Sequence, residues 1–384
     1  MSTFDVAIVG GGAIGVSIAF ELAAQDLRVV VLDRRQPGHE ASWAAAGMLS
    51  PAPDSPRDIP LAPLGAESLR MYPEFIAAVE EESGKSASYA PNGAIEIFLP
   101  PHGEFERDQK AAEYRLLDLA AEATPLSVAR AHEKSFAPNA TAALWLPEEA
   151  TVEPRLLMAA LLAGAQNRGV EIRSDCAVTG IPCARNRCTG VIAGGEKIDA
   201  GHVVIAAGCF SAELADAAAF LARLLPTRPV RGQLLALRHE GFALSRVLRS
   251  ERGYLVPRRD GRIVAGSTKE EAGFEKRVTA EGIRKVLDAA IEICPTLAGA
   301  EIVETWSGLR PGTPDDLPIL GPTDVEGLLV ATGHYRNGIL LTPVTARLIR
   351  DWIVRGDAGF EDFDAATFSP LRFDRVRSSR AETT

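Results

Sequence analysis

The chain has 384 residues, of which 46% are hydrophobic and 24% charged, with a net charge of −10. That is a globular composition with ample core material, long enough for two or three domains. The acidic balance argues against nucleic acid as the main partner, and no apolar stretch reaches the length of a membrane span.

The N-terminal "MSTFDVAIVGGG" lacks the basic region and small-residue cleavage site of a signal peptide, so its apolar run reads as a strand. "DVAIVG" (5–10) is β-branched and closed by glycine, as a central parallel strand should be. "GGGAIGVSIAFELAAQ" (10–25) turns into a helix, and "LRVVVLD" (27–33) is a second buried strand ending on an acid. Together they form a βαβ unit. "SWAAAGML" (42–49) comes next, small and uncharged, offering little but backbone; prolines crowd the following "SPAPDSPRDIP" (50–60).

"NGAIEIFLP" (92–100) alternates like a strand, and residues 104–123 read as a charged, exposed helix. Residues 153–169 read as a helix with Pro154 near its start and Gly169 at its end. Strands are expected at 170–181, 189–200 and 202–208, as a nucleotide-binding unit returning after an insertion. Long strands follow at 228–238 and 253–267, the second turning at Asp260–Gly261. An amphipathic helix over 280–294, a buried strand over 327–333 and a closing helix over 337–354 complete the order. The tail over 369–384 is polar and expected to fray. No repeat or flexible linker interrupts the chain, so two units appear woven together.

Five cysteines (Cys176, Cys183, Cys188, Cys209, Cys294) form no C-x-x-C pair. They read as free thiols in a reduced, cytoplasmic setting, with no metal site expected from Cys176, Cys183 and Cys188.

Gly10-x-Gly12-x-x-Gly15 sits between a strand and a helix. Gly10 permits the tight turn, Gly12 lets a pyrophosphate approach the backbone with Ala13 and Ile14 beside it, and Gly15 allows close helix–strand packing. Asp33, eighteen residues after Gly15, ends the second strand where it can accept from ribose hydroxyls. The pattern in this context means a dinucleotide, NAD or FAD. The bare 42–49 segment bears on the choice, because backbone groups reach the polar edge of a flat ring only where no bulky side chain intervenes.

Four stretches then carry a resemblance: "VAIVGGGAIG" (6–15), "EASWAAAGMLSP" (40–51), "WSGLRPGTPDDLPILG" (306–321) and "GHYRNGILLTPVTARLI" (333–349). The chain resembles the D-amino acid oxidase superfamily of flavoproteins, most closely the glycine oxidases associated with thiazole biosynthesis, from about residue 4 to 356. The resemblance implies an α/β fold, with a Rossmann-type FAD domain (1–85, 148–225 and 306–370) interleaved with an antiparallel-sheet substrate domain (86–147 and 226–305), and a flexible tail (371–384). It implies that Ser42, Ala45, Ala46, Gly47 and Met48 lie against the flavin ring, and that Val178 holds the adenine end. Gly208 and the segment His334, Arg336, Asn337, Gly338, Ile339 and Leu340 are expected to complete the cofactor site. A helix starting near Gly338 would put its free N–H groups at the ring.

Arg310 is the expected carboxylate holder, since its fork matches a carboxylate in two parallel hydrogen bonds. By spacing alone a structural ion pair with Asp315 or Asp316 serves equally well. The resemblance implies that Tyr254 assists with its hydroxyl and that Arg336 lines the active site. His334 invites a base assignment, which the family does not support. Lys269, in "GSTKEEAGF", departs from the apolar residue common there; it is expected to point outward.

The reaction so implied is hydride transfer from an amino acid Cα to flavin, giving an imino acid that hydrolyses to a 2-oxo acid and ammonia, with dioxygen reduced to hydrogen peroxide. A dehydrogenase feeding a quinone or partner protein, or a flavin-binding subunit without activity, are the alternatives. No cysteine occurs in 40–51 or 306–343, so non-covalent FAD is expected. A homo-oligomer acting on small amines is expected, with glycine, sarcosine and small D-amino acids not separated.

Overall fold

Residues 6–9 and 29–32 are buried on both faces, as strands covered on both sides must be. The computed structural model describes residues 3–360 and 363–374. In it these runs lie parallel inside a sheet ordered 319–322, 328–332, 196–205, 3–9, 29–32, 171–173. Neighbours along this order are parallel except the 319–322 edge strand. Successive residues face opposite sides. Val6, Ile8, Val29 and Val31 enter one core with the helices Ala13–Ala23, Ala62–Ser83, Pro154–Asn167 and Thr342–Arg355. Ala7, Val9, Val30 and Leu32 enter another, covered by residues 181–193 and 214–225.

The second sheet is ordered 301–312, 228–238, 263–266, 253–257, 247–250, 94–98, 142–146, 122–124. It is antiparallel apart from the 247–250/94–98 pair. One face packs on the Ala280–Ile293 helix. The other, through Leu234, Val264 and Trp306, meets Trp43, Ala44, Ala46 and Met48. The small-residue segment therefore lies between the two sheets.

Several elements differ from the sequence expectation. The 104–123 helix stops at Leu116, because Asp118 turns left-handed (φ 55°) and the Leu119 amide returns to the Tyr114 carbonyl; Glu122–Thr124 then joins the sheet edge. Residues 170–181 split into Glu171–Arg173 and Val178–Gly180. Residues 190–205 form a hairpin turning at Gly194–Gly195, whose second arm runs on to Ile205. The closing helix begins at Thr342, four residues after Gly338. Strand Glu301–Gly312 pairs along its length with Arg228–Arg238, so residues 306–312 lie in the antiparallel sheet. Of the expected flexible tail, Leu371 and Phe373 pack on the core beside the first sheet and Arg372 pairs with Asp315; residues 375–384 lie outside the described residues. Among the described residues no helix is long and apolar enough to cross a membrane.

Candidate active site

The first βαβ unit turns on glycines that admit no side chain. Gly10 has φ 110°, and a Cβ there would come within 2.5 Å of the Ala206 carbonyl oxygen. A Cβ on Gly15 would collide with the Gly10 carbonyl. The Ala13–Ala23 helix starts at Gly12 with no side-chain cap of its own. Ser42 supplies one from the following segment, its hydroxyl accepting from the Ala13 amide at 2.9 Å. Ile14 and Gly15 occupy the open first turn, where N–H groups lack intrahelical partners. Asp33 receives the Gly11 amide at 2.8 Å and the Arg35 amide at 2.9 Å, one on each oxygen, leaving lone pairs for hydroxyls. The Cys176 amide donates to the Asp33 carbonyl, which brings Val178 to this end; Gly208 (φ 58°) follows strand 196–205.

Two further segments share one backbone pattern. In 44–47 the carbonyls are held: Ala44 by the Trp306 indole N–H at 3.0 Å, Ala46 by Arg258 Nη2 at 2.6 Å, Gly47 by the Val152 amide at 2.9 Å. In 338–340 the Thr342 hydroxyl holds Gly338, the Tyr72 hydroxyl holds Ile339 at 2.5 Å and the Ser68 hydroxyl holds Leu340 at 2.6 Å. The amides of Ala45, Ala46, Gly47, Gly338, Ile339 and Leu340 have no hydrogen-bond partner among the described residues. These two segments offer donors to an acceptor-rich group, and in 44–47 no side chain is larger than a methyl group.

Trp306, Gly308 and Arg310 alternate along one strand and share a face. Ala44 sits over Gly308, where a Cβ would collide with it. The Arg310 guanidinium lies over Gly232, the residue paired with Gly308. It donates to the Ser267 hydroxyl at 2.6 Å and the Thr268 carbonyl at 3.1 Å. Three of its five N–H groups remain for a ligand. Neither acid near it in sequence competes: Asp315 pairs with Arg372, and Asp316 with Arg228. Tyr254 pairs in register with Gly266, and its hydroxyl lies over that glycine, one residue before Ser267. Arg310 and Tyr254 therefore converge on Gly266–Thr268, on the sheet face that meets the small-residue segment.

This arrangement has close relatives. A family model described as FAD dependent oxidoreductase matches residues 5–352. The chain belongs to that family. It is 34% identical to a glycine oxidase of Pseudomonas putida, over 95% of this chain and 98% of that one. It is 36% identical to a bifunctional protein ThiO/ThiG of Synechocystis sp., over 97% of this chain. It spans about half the length of that relative, 54%. The crystal structure of a glycine oxidase from Geobacillus kaustophilus superposes with TM-score 0.90 at 32% identity, covering 97% and 99% of the two chains.

The residues present fit the FAD of this oxidoreductase family: a glycine turn, a half-open helix N-terminus, an acid that would suit a ribose and two sets of free amides. Three expected site residues behave differently from one another. His334 is buried, its Nε2 3.0 Å from the Thr345 hydroxyl, and desolvation pushes its imidazole down to about 3. Burial keeps the imidazole neutral. Arg336 ion-pairs with Asp54 and with buried Asp58 (2.6 Å), so its charge ties the proline-rich 51–58 segment to the Asn337 loop. Lys269 is exposed, its ammonium 5.3 Å from the Tyr335 ring centre. Among the described residues no group of three or more His, Cys, Asp or Glu is placed to hold a metal ion.

Sequence reasoning missed the residues that hold the site from behind. Ser267, Thr268, Trp306 and Arg258 touch the expected residues without being singled out. Only Trp306 carried a usable signal, its spacing of two residues from Gly308 and four from Arg310.

Proposed function

We propose that this chain is an amino acid oxidase of the glycine oxidase type. It would oxidise glycine and small amines or D-amino acids to the imino acid, hence to a 2-oxo acid and ammonia, with dioxygen reduced to hydrogen peroxide. The observation that carries this reading is the Arg310 guanidinium, held by Ser267 and Thr268 with donors to spare, on the sheet face that meets the 44–48 segment. FAD, when bound, supplies the two-electron acceptor. Arg310 fixes the substrate carboxylate through two prongs, and Tyr254 steadies it from strand 253–257, beyond strands 228–238 and 263–266 in the same sheet. Orientation of this kind is the main catalytic contribution of the protein. With His334 neutral and buried, the substrate's own amine must be free of its extra proton before Cα–H is broken.

Several finer points belong to the same proposal. Gly10–Gly15, Asp33 and Val178 hold the adenosine diphosphate half, and Ser42–Met48 and 334–340 the ring. Residues 86–147 and 226–312 form the substrate unit. The similarity to a ThiO/ThiG protein supports a role in making the thiamine thiazole. A cytoplasmic location and a homo-oligomeric state are part of the proposal on the sequence reading alone.

The test is anaerobic mixing of the FAD-loaded protein with glycine, sarcosine and D-alanine. Bleaching of the flavin by at least one of them, followed by stoichiometric hydrogen peroxide on admitting air, supports the reading. Bleaching without peroxide assigns a dehydrogenase, and no bleaching by any amino acid overturns the substrate class.

A further inference from the structure

Among the donors that hold the carbonyls of 44–47, one is an ion. Arg258 follows the Gly253–Pro257 strand, and its side chain is 5% exposed. Its Nη2 donates to the Ala46 carbonyl at 2.6 Å, while its Nε lies 2.5 Å from Glu153 Oε2. Val152, next to Glu153, donates its amide to the Gly47 carbonyl. Gly47 itself has φ 78°, and a Cβ on it would collide with the Val152 carbonyl. One charged pair thus grips the back of this segment.

The Ala46 carbonyl and the Gly47 N–H are two ends of one conjugated peptide unit. In a trans peptide they point in opposite directions. A cation on the oxygen draws electron density through the C–N bond and strengthens the N–H as a donor on the far side. That N–H has no partner among the described residues. We propose that Arg258 is a positioning residue that tunes the flavin: through the Ala46–Gly47 peptide it places positive potential against the ring and favours the reduced form. Glu153 moderates the effect by partly neutralising Arg258. The inference rests on the proposed contact between 44–48 and the flavin ring.

The effect is on a reduction potential, which mere structural damage has no reason to move in two directions. The experiment measures the two-electron midpoint potential of bound FAD, by equilibration with a reference dye, in the wild type and three variants. Arg258→Met lowers the potential, by about tenfold in the reduced-to-oxidised ratio at fixed poise, or roughly 30 mV. Arg258→Lys keeps the charge and recovers most of that shift. Glu153→Gln removes the counter-charge and raises the potential. If Arg258→Met fails to fold, the opposite signs expected for Glu153→Gln and the near-normal value for Arg258→Lys still decide. Potentials that agree across the variants, or that fall in every one of them, overturn the proposal. FAD content and glycine bleaching of the wild type are read in parallel, so failure of the functional reading shows separately.

Discussion

Trp306 donates its indole N–H to the Ala44 carbonyl at 3.0 Å, across the gap between the two sheets. Trp306 stands four residues before Arg310 on the same strand face, and Ala44 opens the segment with the free amides. The bond sets Arg310, the proposed carboxylate holder, and the segment proposed to line the ring in one frame. Trp306→Phe keeps most of the packing and strands a buried carbonyl, a loss of about 1–3 kcal/mol. Denaturant unfolding followed by tryptophan-independent circular dichroism should show it, together with weaker FAD retention on dilution. Unchanged stability would mean that the Ala44 carbonyl finds another donor.

Arg310→Ala should nearly abolish turnover while leaving bound flavin in place. Removing one partner of a desolvated charge pair typically costs about 2–5 kcal/mol, roughly 30- to several-thousand-fold in kcat/KM. Lysine is a poor substitute, because a point charge does not reproduce the fork. Tyr254→Phe removes one neutral hydrogen bond and should cost about 1 kcal/mol. The order of the two effects is the check; near-normal activity of Arg310→Ala on glycine would place the carboxylate elsewhere.

His334 links pH to stability. Burial pushes its imidazole from the ordinary 6.5 to about 3, so the unfolded chain binds a proton that the folded chain refuses. Its contribution is complete above pH 6.5 and is lost progressively as pH falls toward 3. Between pH 6.5 and 5 that amounts to about 1.5–2 kcal/mol. His334→Gln lacks this loss, so the stability difference between variant and wild type should move in the variant's favour by that amount over the interval. A constant difference would mean that the ring takes up its proton in the folded state.

The same substitution separates folding from chemistry. The rise of kcat/KM with pH should follow the substrate amine and persist in His334→Gln. Loss of that rise would reinstate a protein base.

The cofactor should be FAD and not FMN, since Gly10–Gly15 and Asp33 serve the adenosine diphosphate half. Acid denaturation should release it, because 40–51 and 306–343 contain no cysteine. Colour retained by the precipitated protein would show a covalent bond.

Gly10, Gly15 and Asp33 were legible from sequence because steric exclusion and a strand-ending acid leave few alternatives there. Arg310 was legible through its flanking glycine and proline and the family resemblance. Arg258 was not: in "VPRRDGR" it looks like one more charge beside a hairpin turn, and only tertiary structure sends it inward to Ala46. The same holds for Arg249, which sits buried between Glu96 and Glu149, ion-paired to both. Helix ends were least legible. Residues 338–341 form a preparatory turn before Thr342, because Tyr72 and Ser68 claim carbonyls that a regular helix would use.

The weave of the first sheet has a consequence for how the protein is made. Its strands come from residues 3–9, 29–32, 171–173, 196–205 and 319–332, so the mononucleotide unit leaves the ribosome long before its last neighbours. At about 5–20 residues per second, roughly 15–60 s separate Leu32 from Leu328. Once residues 196–205 have emerged, that strand keeps an open edge until 328–332 follows, the kind of surface that pairs with other chains. The amides of 338–340 arrive later still. On the proposed site, a chain cut before Thr332 should yield no small flavin-binding fragment, and capture of the cofactor should be one of the last events of synthesis.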